Sequence, residues 1–104
     1  MDMRAAIRQK VESGHYEFSR HAVDQSILRH ISVTEIHEAF LSEMELVEDY
    51  PDDFYGPSCL LLGITKQSRP LHILCSHPTR PLVKIITVYE PDRKMWQEDL
   101  RKRI

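Results

Sequence analysis

The chain has 104 residues, a net charge of −2, 41% hydrophobic and 29% charged side chains. These are the proportions of one globular domain, and they exclude a disordered segment or a two-domain protein. The near-neutral balance also excludes attachment to nucleic acid by bulk charge alone, while leaving room for a local basic patch.

Residues 2–13 read as a helix: Met3, Ile7 and Val11 recur at helical spacing, Asp2 is placed to cap it and Gly14 to stop it. A second helix is expected over 20–30, capped by Ser19, with Val23, Ile27 and Ile31 as its core stripe. A third starts at Ser32, where Ser32-Val33-Thr34-Glu35 has the form of a capping box and Ile31 and Ile36 flank it as a hydrophobic staple. All six prolines follow residue 50, so the second half is cut into short segments. Residues 45–50, 58–65, 70–76 and 82–89 are rich in Leu, Ile, Val and Tyr and read as strands. Their short connections favour antiparallel neighbours. Asp92 is placed to cap a last helix over 93–102 carrying Trp96 and Leu100. The expected fold is a single α+β domain over 1–104: N-terminal helices packed on a four-stranded antiparallel sheet, with a C-terminal helix.

The longest apolar run, 59–64, is far short of the ~20 residues that cross a bilayer. Met1-Asp2-Met3-Arg4 lacks the apolar segment of a secretory signal, so no membrane association and a cytoplasmic location are expected. Cys59 and Cys75 lie in apolar strand-like runs and read as buried thiols, with a disulfide between adjacent strands as the alternative.

Six histidines raise a metal hypothesis, but Cys75 and His77 have no second tightly spaced pair, so no metal site is expected. The only glycines are Gly14, Gly56 and Gly63, which excludes a Gly-rich phosphate loop, and no cofactor is expected. His21, Gln25 and Arg29 are spaced i, i+4, i+8 and share one helical stripe. Such a stripe is either a solvated face or a phosphate-handling one, in which imidazole moves a proton and guanidinium binds oxygens. In the third strand Leu71, Ile73 and Cys75 share one face and His72, Leu74 and Ser76 the other. His72 is then either solvated or part of a shallow ligand surface with Arg69 at its rim and Tyr89 nearby. Charge is uneven: residues 43–53 are acidic, while 93–103 hold Arg93, Lys94, Arg101, Lys102 and Arg103.

Several segments in order carry a resemblance: Phe18-Ser19-Arg20-His21-Ala22, Arg29-x-Ile31-Ser32, Val47-Glu48-Asp49-Tyr50-Pro51-Asp52-Asp53, Pro57-Ser58-x-Leu60-x-Leu62-Gly63, Arg69-Pro70-Leu71-His72, Ile86-Thr87-Val88-Tyr89-Glu90-Pro91-Asp92 and Trp96. Over residues 15–100 the chain resembles domain-of-unknown-function family 4258, a group placed with the RelE/ParE-like toxins. The resemblance implies a small α+β ribonuclease or gyrase poison made beside an antitoxin-like partner, often a small zinc-finger protein. His21, Arg29, Arg69, His72, Thr87 and Tyr89 match family positions. Gln25 stands where the family usually has Arg, and His30 where it usually has Gly.

The leading expectation is a metal-independent endoribonuclease acting on RNA. His21 or His72 would serve as base or acid, Arg29 and Arg69 would clamp phosphate, Thr87 would contact substrate and Tyr89 would orient it. The alternative is a non-catalytic module that binds an antitoxin-like protein. One catalytic surface requires His21, Arg29, Arg69 and His72 to converge.

Overall fold

Three short polar side chains start three helices. In the computed structural model, which describes residues 2–104, these helices are α1 (Met3–Glu12), α2 (Arg20–Leu28) and α3 (Val33–Leu41). Asp2 accepts the Ala5 N–H at 2.9 Å, Ser19 that of Ala22 at 3.0 Å and Ser32 that of Glu35 at 3.0 Å. Glu35 returns its carboxylate to the Ser32 N–H at 3.0 Å, completing the capping box.

The strands are β1 (Tyr16–Phe18), β2 (Glu45–Tyr50), β3 (Ser58–Ile64), β4 (Pro70–Ser76) and β5 (Val83–Tyr89). They form one sheet in the order β1-β5-β4-β3-β2. β2 to β5 form the expected antiparallel meander, but β1 pairs parallel with β5, so the sheet is five-stranded and mixed rather than four-stranded and antiparallel. β1 spans three residues, too few to show an alternating pattern. It exists because the edge of β5 needs a partner.

Past β1, helix α2 takes over that edge. The Ser19 N–H donates to the Ile85 carbonyl at 2.8 Å, the Ser19 hydroxyl to that of Ile86 at 2.9 Å and Arg29 Nη1 to that of Val88 at 2.9 Å. This placement corrects the stripe expected for α2. Ala22 is its buried residue, while Val23 and Ile27 are 42% and 68% exposed. A helix pressed against a strand edge needs a small contact residue and polar side chains for the free carbonyls.

The main core lies between the helices and one sheet face, joining Ile7, Val11, Ile36 and Phe40 to Leu61, Leu71, Ile73 and Ile85. Gly63 lets α3 approach closely, since a Cβ there would stand 2.5 Å from the Ala39 carbonyl oxygen. Cys59 and Cys75 face each other across β3 and β4 as free, buried thiols. The hydrogen bond with Cys59, then burial, holds the Cys75 thiol well above its ordinary pKa.

The opposite face is covered by the C-terminal residues, and here the expected helix over 93–102 is absent. Met95 and Trp96 close one turn onto the Asp92 carbonyl, but Leu100 takes a left-handed conformation at φ 59° and Trp96 forms a bridge with Arg103. A ten-residue helix is marginal without packing. Folding back buries Trp96 and Leu100 against Leu60 and Leu62 and stacks Arg103 on the indole, 4.6 Å from its centroid. Burying each of these two large apolar side chains contributes about 1.5–3 kcal/mol. Among the described residues, no helix is long and apolar enough to cross a membrane.

Candidate functional site

The period-two alternation of β4 turns His72 away from the main core, onto the face where β3 presents Leu62 and β5 presents Tyr89. There the C-terminal loop closes over it, and its exposure is 0%. Nε2 lies 2.7 Å from the Leu100 carbonyl, which can only accept, so Nε2 carries the proton. Nδ1, 3.2 Å from the Tyr89 hydroxyl, is then the acceptor. The Trp96 and Tyr89 rings meet the imidazole edge-on, with centroids at 4.5 and 5.3 Å. Burial lowers the His72 pKa, against the opposing pull of the Leu100 carbonyl and the Glu48 charge. Burial likewise raises that of Tyr89.

Arg29 reaches this end of the sheet from α2, with its guanidinium 5.7 Å from the Tyr89 ring centroid. Thr87 lies opposite Leu74 in the register, two residues before Tyr89 on the same face. The structure thus brings Arg29, His72, Thr87 and Tyr89 together. Arg69 stands nearby, but its donors are engaged. Nη1 donates to the His30 carbonyl at 2.9 Å and to Glu35 at 3.1 Å, Nη2 to the Arg29 carbonyl at 3.2 Å and Nε to Glu90 at 3.4 Å. It ties the α2–α3 turn to the end of β5 and holds Glu35 in its capping position.

His21 is elsewhere. It sits exposed in the first turn of α2 and lines a cavity of about 360 Å³ with Ser19, Tyr55, Ser76, Arg80 and Lys84. That cavity lies where β4 ends and β5 begins, the Lys84 N–H donating to Ser76 Oγ at 2.8 Å. His72 stands four residues back along β4, roughly 13 Å at the usual rise per residue. His21 therefore does not share a site with His72 and Arg69. Asp53 also lines the cavity, and Arg80 donates to the Tyr55 carbonyl at 3.1 Å. Phe54 and Tyr55 stand almost wholly exposed beside it, with ring centroids 5.0 Å apart.

Sequence reasoning passed over Arg80, Lys84 and Tyr55, since each looked like an ordinary turn or strand-edge residue. Their common signal is position: Tyr55 and Arg80 lie in the β2–β3 and β4–β5 connections and Lys84 at the start of β5, all at one end of the sheet. Glu48 was read as part of an acidic run and of a family segment and Arg103 as part of a basic run, yet they form a two-contact pair at 3.0 Å over the polar face, and Glu48 also accepts from the Tyr50 hydroxyl. Among the described residues, no group of three or more His, Cys, Asp or Glu is placed to hold a metal ion.

Comparison with known proteins agrees with the sequence segments noted above. No curated protein and no solved structure matches the chain. A family model, described as a domain of unknown function, DUF4258, matches residues 18–90, from the end of β1 to just past β5. That span holds α2, α3, the antiparallel meander and both histidine sites, so the chain belongs to the DUF4258 family.

Proposed function

We propose that the chain is a metal-independent endoribonuclease of toxin type, related to the RelE/ParE-like proteins and restrained in the cytoplasm by an antitoxin-like partner. The observation that supports this reading best is one accessible cavity that joins an imidazole, His21, to two cations, Arg80 and Lys84. Its volume, about 360 Å³, falls in the range of small-ligand sites. The exposed rings of Phe54 and Tyr55 offer surfaces on which unpaired bases stack.

The chemistry uses groups of this chain alone. His21 takes the proton from a ribose 2′-hydroxyl, and that oxygen attacks the adjacent phosphorus. The bond to the 5′-oxygen breaks, and the leaving oxygen recovers a proton from the imidazolium or from water. Products are a 2′,3′-cyclic phosphate and a 5′-hydroxyl. Arg80 and Lys84 offset the charge that accumulates on the phosphoryl oxygens. Cleavage of single-stranded RNA in the presence of a chelator, with cyclic phosphate ends, is the expected result. His21→Ala should slow it by at least ~100-fold. No cleavage by the parent chain, or equal cleavage by the variant, would overturn the reading.

A second reading has its own observation. Val33, Leu41 and Ile64 are 58%, 45% and 39% exposed around a groove that also includes His37, Glu38 and Lys66. Exposed apolar side chains grouped with both signs of charge suit a protein-binding module that engages an antitoxin-like chain. Val33→Glu would then abolish partner binding, and RNA cleavage would be absent in every variant.

A further inference from the structure

The C-terminal loop is built as a closed unit. The Gln97 N–H donates to the Lys102 carbonyl at 2.8 Å, that of Leu100 to Gln97 at 2.8 Å and that of Ile104 to Met95 at 3.1 Å. Its backbone bonds therefore return to the loop itself. Contact with the sheet runs through the Trp96 and Leu100 side chains, the Leu100 carbonyl on His72, and two ion pairs. These pairs, Arg101 with Glu45 at 3.1 Å and Arg103 with Glu48 at 3.0 Å, lie at the surface and are open to screening by salt. A unit that bonds internally and docks by side chains can leave without breaking any strand.

What it covers is not a surface designed only for packing. Leu60, Leu62 and Leu74 pack there as a core would, but His72 places a titratable ring at 0% exposure with its N–H aimed outward at a carbonyl oxygen. An apolar residue of similar volume would fill that position without the desolvation cost. The Tyr89 hydroxyl donates to Nδ1 of His72, Thr87 shares the face, and the Arg29 guanidinium lies over the Tyr89 ring with one nitrogen on the Val88 carbonyl. The acids of this face, Glu45 and Glu48, stand on β2, one strand beyond β3, and the Glu48 charge reaches His72 while Arg103 offsets it.

We propose that residues 92–104 are a releasable cover, and that the face beneath is a second binding site, for a phosphodiester of single-stranded nucleic acid. The Leu100 carbonyl holds the place that a phosphate oxygen takes on His72. Arg29 supplies the countercharge, and the Trp96 position is left open for a base on the imidazole and Tyr89 rings. This site is distinct from the His21 cavity and stands or falls separately.

The test uses the full chain. Arg103→Glu turns the pair with Glu48 into a repulsion, and the double variant Glu48→Arg with Arg103→Glu restores attraction. Two readouts are followed: deuterium exchange at the C2 position of each histidine, and anisotropy of a labelled single-stranded RNA 12-mer, the latter in the His21→Ala background so that neither cleavage nor the His21 imidazole enters. Arg103→Glu should raise exchange at His72 at least tenfold while His15, His30 and His77 keep their rates. It should also tighten RNA binding several-fold although it removes positive charge. The double variant should return both to parental values, and adding Arg29→Gln to Arg103→Glu should remove the gain in affinity. Unchanged protection at His72 would overturn the cover, as would equal acceleration at all histidines. Exposed His72 with unchanged or weaker RNA binding would overturn the site.

Discussion

His72 owes its properties to two oxygen atoms and a lid of indole. Nε2–H is held by the Leu100 carbonyl and Nδ1 faces the Tyr89 hydroxyl, which donates to the neutral ring and would have to turn and accept from the charged one. Burial lowers its pKa below the ordinary 6.5, so the unfolded chain takes up the proton first as pH falls. The neutral ring's stabilising share is complete above about pH 6.5 and is lost as pH drops towards the folded value. The depressed carboxylates of Glu35 and Glu48 contribute only at lower pH, below their ordinary 4.5. The melting midpoint should therefore fall between pH 7.5 and 5.5, and the step should vanish in His72→Gln, whose amide can donate and accept at the same places. An equal step in that variant would assign the loss to other groups. A second residue-scale expectation concerns His30. It follows the α2 cap in a left-handed conformation, φ 53°, where a side chain costs energy that glycine avoids. His30→Gly should raise stability by about 0.5–1 kcal/mol in urea denaturation, since the carbonyl that Arg69 uses is kept.

At the scale of elements, local chemistry was legible wherever one residue decides the outcome. Asp2, Ser19 and Ser32 cap the helices that the sequence places behind them, and the third cap comes with its full box. Ser32→Ala should cost about 1 kcal/mol of unfolding free energy; equal urea midpoints for variant and parent would count against the cap. Gly63→Ala should cost more than a surface change, because its Cβ would meet the Ala39 backbone and force α3 off the sheet. A thermal melt showing no loss would mean that the helix shifts freely. What was not legible depends on partners distant in sequence. β1 is defined only by Val83 to Ile85, and the outward faces of Val23 and Ile27 only by the edge on which α2 rests. Trp96 and Leu100 were placed on a C-terminal helix by their four-residue spacing, but a folded-back loop buries both with the same spacing.

For the whole molecule, the candidate site was legible in part. Arg29, His72, Thr87 and Tyr89 gather because two adjacent strands and the helix on their edge carry them, whereas the sequence, which fixes no register, left their convergence open. His21 fell elsewhere because α2 runs along β5, so that its two ends serve opposite ends of the sheet. One stripe on a helix thus gives two sites. The cavity that gathers His21, Arg80 and Lys84 is made by chain reversals far apart in sequence, which no periodicity reveals.

The sealed edge of β5 has a consequence for numbers. Strand-to-strand growth of a sheet into a fibre needs two free edges on each molecule, one to give and one to receive. Here one end offers three residues of β1 and then a helix whose side chains already occupy the carbonyls of Ile86 and Val88. Among the described residues only β2 is a long open edge, and it carries Glu45, Glu48 and Asp49 with a register shift between Leu46 and Glu48. Two copies can meet there once, edge to edge, and the pair is then left with only the three-residue edges of β1, too short to extend the sheet. Association through the backbone of the folded chain ends at two.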